Sequence, residues 1–104
     1  MLTRKYQVCM HTSIGQRYGT MDVQIEGHAL RGLLHLLQHS EAFFGKIDEV
    51  GNCIFSGRMI TPMKIIPYTA KGRLTENSLA LSLTSGKNAF EMTGSACPGE
   101  ESRP

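Results

Sequence analysis

The sequence predicts an all-β fold, an antiparallel up-and-down meander of about eight strands that closes into a small barrel or half-barrel. Short runs of alternating apolar and polar residues repeat along the chain, and turns rich in Gly, Asn, Asp and Ser separate them. Glycines also recur every 12 to 15 residues, at Gly19, Gly32, Gly45, Gly57 and Gly72. A two-sheet β-sandwich is the structural alternative.

The alternating runs define the strands in order. They are expected near residues 4–12, 18–26, 29–37, 42–48, 53–61, 65–75, 79–84 and 88–94. Their connections are too short for a crossover, so consecutive strands must pair antiparallel and lie side by side. The run MITPMKIIP departs from the pattern because Pro62 and Pro67 cannot donate to a ladder, and an edge, a bulge or a kinked corner is expected there.

The segment HALRGLLHLLQHSEAFFG, residues 28–45, fits two structures. Its leucines have the spacing of one helix face: Leu30, Leu33, Leu34 and Leu37. A helix would carry Gly32 inside it, at about 1 kcal/mol relative to alanine, and would interrupt the repeat seen on both sides. Two strands joined by a polar turn at residues 38–41 are therefore predicted.

One face of the predicted sheet is apolar in every segment. In the first strand Tyr6, Val8 and Met10 alternate with Lys5 and Gln7, and the later strands follow the same rule. The recurring glycines of the strand interiors fall on this inner face, where they let a sheet coil and close. Closure also removes the edges that a flat sheet would expose.

Length and composition predict one domain over residues 1–96 and a disordered tail over residues 97–104. The 104 residues are 40% hydrophobic and 19% charged, as in soluble globular proteins. No run approaches the length of a membrane span, and MLTRKYQVCM lacks the apolar core of a signal peptide. A cytoplasmic location without a membrane partner is expected.

Charge and metal-ligand spacing disfavour several classes of function. The net charge is +2 and basic residues come about one per segment, so no nucleic-acid partner is expected. Cys9, Cys53 and Cys97 form neither a disulfide framework nor a zinc motif. His35 and His39 would lie about 13 Å apart along one strand, too far to chelate one ion. No metal and no cofactor are expected.

Inward polar groups indicate where a ligand would bind. The interior of an eight-stranded barrel is either packed or holds one small molecule. The candidate ligand-binding residues are Tyr6, Met10, Met59, Thr61 and Tyr68, since methionine adapts to irregular shapes and tyrosine can orient a polar atom. The alternative is a packed core whose tyrosine hydroxyls reach the barrel mouth.

An apolar patch is predicted on the outer face of the third to fifth strands. Its residues are Leu33, His35, Leu37, Phe44, Ile54 and Ile60. Monomers rarely expose a contiguous apolar surface. A homodimer is the expected cover, because most soluble oligomers are symmetric. A segment of the same chain or the second core of a sandwich are the alternatives.

The predicted plan resembles lipocalin and avidin-type barrels in architecture, without their signature residues. The first functional hypothesis is a non-catalytic module that binds a small apolar ligand among the inward methionines and tyrosines. The alternative is an accessory or assembly protein that acts through the outer patch as a homodimer. A barrel enzyme with Tyr6 or Tyr68 as general acid or base ranks third, because no catalytic triad, inward carboxylate pair or phosphate loop is evident.

Overall fold

A computed structural model describes residues 2–12, 15–36, 38–60 and 63–96. They form a closed antiparallel barrel in which each strand pairs with the next and the last pairs with the first. The strands are β1 (Leu2–Thr12), β2 (Gly15–Glu26), β3 (Ala29–Leu36), β4 (His39–Ile47), β5 (Asn52–Ile60), β6 (Ile65–Leu74), β7 (Ser78–Ser85) and β8 (Asn88–Ala96). The predicted all-β meander and its closure are confirmed.

Side chains alternate between the core and the outer surface as the sequence predicts. In β7, for example, Leu79, Leu81 and Leu83 are buried while Ala80 and Ser82 are exposed. All the buried side chains among the described residues are hydrophobic, and they form one cluster inside the barrel. No helix with the length and apolar character of a membrane span occurs in the described residues.

The segment at residues 28–45 forms two strands, as predicted, but its turn is shorter than expected. Leu36 pairs directly with His39, so β4 starts at His39 rather than near residue 42. Gln38 supplies the left-handed backbone of this turn, with φ of 68°. Because directly paired residues share a face, His39 belongs to the inward row with Leu36 while His35 points outward. The two histidines therefore lie on opposite faces, contrary to the prediction that they stand four residues apart along one strand.

Pro67 lies where β6 has a strand on one side only. It pairs with Arg58 of β5, whereas the ladder between β6 and β7 begins at Thr69. A proline is tolerated at such an edge because no ladder donor is lost there. The predicted edge is therefore found at Pro67, while Pro62 lies outside the described residues.

Candidate functional site

The predicted ligand-binding residues lie in a packed interior. Tyr6, Met10, Met59 and Tyr68 all point inward and are at most 4% exposed, while Thr61 lies outside the described residues. The rings of Phe43 and Phe55 stack with centroids 4.4 Å apart, and Tyr68 meets Phe55 edge-on at 6.3 Å. These rings fill the space that an interior ligand would need.

The tyrosine hydroxyls lie toward opposite ends of the barrel. The Tyr6 hydroxyl donates to the backbone oxygen of Thr75, 2.5 Å away in the connection between β6 and β7. Met59 and Tyr68 instead lie toward the connection between β5 and β6, since Met59 pairs with Ile66. In a meander these two connections are at opposite ends, so the structure does not bring the Tyr6 hydroxyl together with the other predicted ligand-binding groups.

The Tyr6 hydroxyl stabilises one end of the barrel. Burial raises its pKa, although Arg4 opposes this shift, so the group stays a protonated donor at neutral pH. We expect Tyr6→Phe to lower the free energy of unfolding by about 1 kcal/mol, because the Thr75 carbonyl loses its donor. Urea unfolding would measure this. The control is Tyr18→Phe, an exposed tyrosine expected to stay within about 0.5 kcal/mol, and equal losses in both variants would refute the assignment.

The outer face of β3 to β5 carries a contiguous apolar surface, which we call the outer patch: Leu33, Ala42, Phe44 and Ile54. Phe44 is its centre and is 64% exposed, while Leu33 and Ile54 are 41% and 43% exposed. Leu33 pairs with Ala42, and Ile54 pairs with Lys46, which places both diagonally next to Phe44.

The other three residues predicted for this patch are His35, Leu37 and Ile60. His35 and Ile60 are only partly exposed, and Ile60 pairs with Ile65 at the far end of β5, beyond Arg58. Leu37 lies outside the described residues. Among the described residues, the exposed part of the patch is centred on β4.

Basic side chains frame the outer patch. Arg31 pairs directly with Phe44, and Lys46 and Lys71 flank Ile54 on its two neighbouring strands. We call Arg31, Lys46 and Lys71 the basic rim. These three residues are far apart in the sequence. The register nevertheless brings them together, one each on β3, β4 and β6, in two adjacent rows of paired residues. The register therefore brings these three basic residues closer together on this face than their spacing in the sequence indicates.

A chain of polar side chains crosses β2, β3 and β4 beside the patch. His35 Nε2 lies 2.9 Å from Asp22 Oδ2, and His35 Nδ1 lies 2.5 Å from Ser40 Oγ. Lys5 Nζ approaches the other Asp22 oxygen at 4.0 Å. Sequence reasoning missed this group, because the residues meet only through strand register: His35 pairs with Ser40, and Asp22 pairs with Leu33, two residues before His35.

Asp22, His35 and Ser40 have the residue types and the hydrogen-bond order of an acyl-transfer triad. The side chains of His35 and Asp22 are 35% and 41% exposed, and neither His35 nor Ser40 borders the grooves described below. A nucleophile so placed would lack a concave site to orient a substrate. The arrangement therefore serves as a surface hydrogen-bond chain that links three strands, worth about 1 kcal/mol or less.

Two open grooves border the outer patch. One, of about 790 Å³, lies over β1 to β4 between Lys5, Asp22, Arg31, Leu33 and Phe44. The other, of about 720 Å³, lies on the far side of Phe44, where the ladder between β4 and β5 ends. Phe44 borders both grooves, which makes it the aromatic group best placed to contact a bound molecule.

Among the described side chains, neither a reactive thiolate at Cys53 nor a metal site is supported. Burial raises the pKa of the Cys53 thiol to about 11, and the nearby Asp48 adds to the shift, so the thiol is not a nucleophile at neutral pH. In residues 2–12, 15–36, 38–60 and 63–96 no three His, Cys, Asp or Glu side chains are grouped to hold a metal ion.

Comparison with known proteins gives no relative: no family model, no curated protein and no solved structure matches this chain. The features of its own surface that bear on function are the outer patch, the basic rim and the two grooves.

Proposed function

We propose that this protein is a non-catalytic binding module that acts through the outer face of β3 to β5. The outer patch would receive apolar side chains of a protein partner, and the basic rim would pair with carboxylates around them. The observation that carries this proposal is the exposed Phe44 ring, which has Leu33 and Ile54 beside it and the basic rim around it.

Packing of the interior supports the outer surface over an enclosed ligand. A small apolar ligand among Met10, Met59 and Tyr68 would need an empty chamber, yet these side chains are buried in one hydrophobic cluster with the aromatic rings. The large grooves among the described residues open on the outer surface of the barrel. An exposed aromatic residue in an apolar surface is the usual anchor of a protein interface.

The sign of the rim charge favours a different protein over a second copy. A two-fold dimer across the outer patch would bring Arg31, Lys46 and Lys71 of both copies close together, and like charges across an interface oppose binding. Neither Lys46 nor Lys71 has a carboxylate within ion-pair distance among the described residues. An acidic partner would supply the missing charge, so the homodimer becomes an outcome to be tested.

A pair of peptides tests the proposal. Each has a Phe-Leu core, flanked by glutamates in one and by lysines in the other, and each carries a fluorophore for anisotropy. We expect binding of the glutamate-flanked peptide only, weakened by added salt. Phe44→Ala should weaken it by about 30-fold or more, the loss that an interface anchor causes. Tyr18→Ala, which removes an exposed aromatic ring on β2, should leave it unchanged.

Charge reversal sharpens this test. Lys46→Glu combined with Lys71→Glu should transfer the preference to the lysine-flanked peptide. Equal binding of the two peptides, or no effect of Phe44→Ala, would refute the proposal. So would a dimer mass in light scattering that Phe44→Glu converts to a monomer, because the patch would then be covered by a second copy.

A further inference from the structure

We infer that the place where the ladder between β4 and β5 ends is a small-molecule site that takes a planar carboxylate, and we call this place the seam. The ladder between the two strands holds four residue pairs, from Phe44–Ser56 to Ile47–Cys53, whereas every other neighbouring pair of strands has six or more. Beyond Phe44, residues 39–43 and 57–60 have no ladder partner across the seam within the described part of the two strands. The groove of about 720 Å³ lies over this opening, and its volume is in the range of ligand pockets.

A buried tyrosine hydroxyl borders the groove without a hydrogen-bond partner in the described part of the chain. Tyr68 is 4% exposed and lines the groove, but its oxygen makes none of the hydrogen bonds found among described residues. Buried tyrosine hydroxyls normally find a partner, as Tyr6 does. No fully enclosed polar side-chain atom in these residues lacks a partner, so the Tyr68 oxygen is not fully enclosed, and the groove is the large opening that Tyr68 lines.

Only a glycine at position 57 leaves room for this hydroxyl. A Cβ atom at Gly57 would lie 3.0 Å from the Tyr68 oxygen, 3.0 Å from the Ala42 carbonyl oxygen and 3.2 Å from Phe43 Cβ. Any side chain would therefore crowd the hydroxyl. Burial also raises the pKa of Tyr68, so the group remains a hydrogen-bond donor throughout the physiological range.

The remaining lining fixes the class of ligand. Phe44 and Pro67 give the groove apolar surface against which a flat ring can pack. Arg58 borders the groove and donates through Nε to Glu41 Oε1 at 3.2 Å, which steadies the guanidinium while its terminal amino groups remain available. Glu41 borders the groove as well and occupies the Arg58 Nε donor. A carboxylate suits the donors that remain, which are the Tyr68 hydroxyl on the inner side of the seam and the Arg58 amino groups on its outer side.

Benzoate is the probe that tests the site. It should bind the native protein with ¹H–¹⁵N shift changes centred on Ser56, Thr69 and Thr84, which line the groove. Tyr68→Phe and Arg58→Gln should each weaken binding about tenfold, as loss of a hydrogen bond to a charged group does. Benzyl alcohol, which keeps the ring but lacks the charge, should bind much more weakly.

Controls separate binding from folding. Tyr68→Phe should leave the free energy of unfolding unchanged within about 0.5 kcal/mol, because the hydroxyl has no partner to lose among the described residues. Tyr6→Phe should leave benzoate binding unchanged. Absence of benzoate binding, shift changes centred elsewhere, or equal affinities for the native protein and Tyr68→Phe would overturn the inference. Phe44 borders the groove and also belongs to the outer patch, but Tyr68 and Arg58 belong to neither the outer patch nor the basic rim, so the Tyr68→Phe and Arg58→Gln variants test this site separately from the peptide.

Discussion

Gly45→Ala is expected to remove most of the folding stability of the barrel. A Cβ atom at this position would lie 2.0 Å from the carbonyl oxygen of Ile54 and 2.4 Å from the Cα of Phe55. Both atoms belong to backbone, so no rotamer change can relieve the contact. Gly45 pairs with Phe55 in the shortest ladder of the barrel, and the methyl group would push these strands apart. The loss should exceed about 3 kcal/mol, the upper end for an overpacked core.

Gly86→Ala provides the matched control. Gly86 lies in the turn between β7 and β8 with φ of +59°, and a Cβ atom there would meet nothing within 4 Å. Only the left-handed backbone opposes the substitution, at about 1–2 kcal/mol. Urea unfolding followed by circular dichroism would measure both variants. If Gly45→Ala were as stable as Gly86→Ala, the backbones of β4 and β5 would have to lie farther apart at Gly45 than the structure places them.

Phe43→Ala is expected to lower the free energy of unfolding by about 3–5 kcal/mol, the usual result for a buried phenylalanine. Phe43 is completely buried, and its ring stacks on Phe55 at 4.4 Å in the centre of the barrel. Removing it leaves a cavity next to Phe55 and Tyr68 that the closed sheet cannot collapse to fill. For a domain of this size, such a loss is a large part of the total stability.

The adjacent residue supplies the control. Phe44 has the same side chain but points outward, so Phe44→Ala should change the free energy of unfolding by no more than about 0.5 kcal/mol. The same variant is the one expected to lose peptide binding. Thermal and urea unfolding of the two alanine variants would compare them directly. Similar losses at both positions would contradict the assignment of Phe43 to the core and Phe44 to the surface.

These expectations separate stability from binding along a single strand. In β4, Phe43 and Gly45 hold the barrel together from inside, and Phe44 between them faces both outer grooves. A filled interior gives a rigid platform, and residues that bind from such a platform lose little conformational entropy on binding. The outer face is therefore where variation in sequence would alter the partner without endangering the fold.

Most of the fold could be predicted from local patterns. Alternation alone predicts that Leu79, Leu81 and Leu83 face inward and Ser82 outward, and the structure agrees. The turn before β4 is shorter than predicted. The polar residues at 38–41 resemble a longer loop, but Leu36 pairs with His39, so only two residues connect the strands. Residues 97–104, predicted to be a disordered tail, lie outside the described residues.

The candidate site was only partly predictable. The sequence predicts Leu33, Phe44 and Ile54 on one outer surface, because they occupy outward positions of the alternation on neighbouring strands. All three are exposed in the structure. The polar chain through His35 and the basic rim were missed, since both depend on which residue of one strand stands opposite which residue of the next.

By itself, the sequence determined which side chains face the core, because alternation is a property of each strand and can be recognised without its neighbours. Only the tertiary structure decided what meets on the surface and where the ladder ends. It placed Arg31 beside Phe44, joined Asp22 to His35, and left the Tyr68 hydroxyl at an opening beside Gly57. The physical reason is that register and barrel closure are set by all eight strands together, and no single segment encodes them.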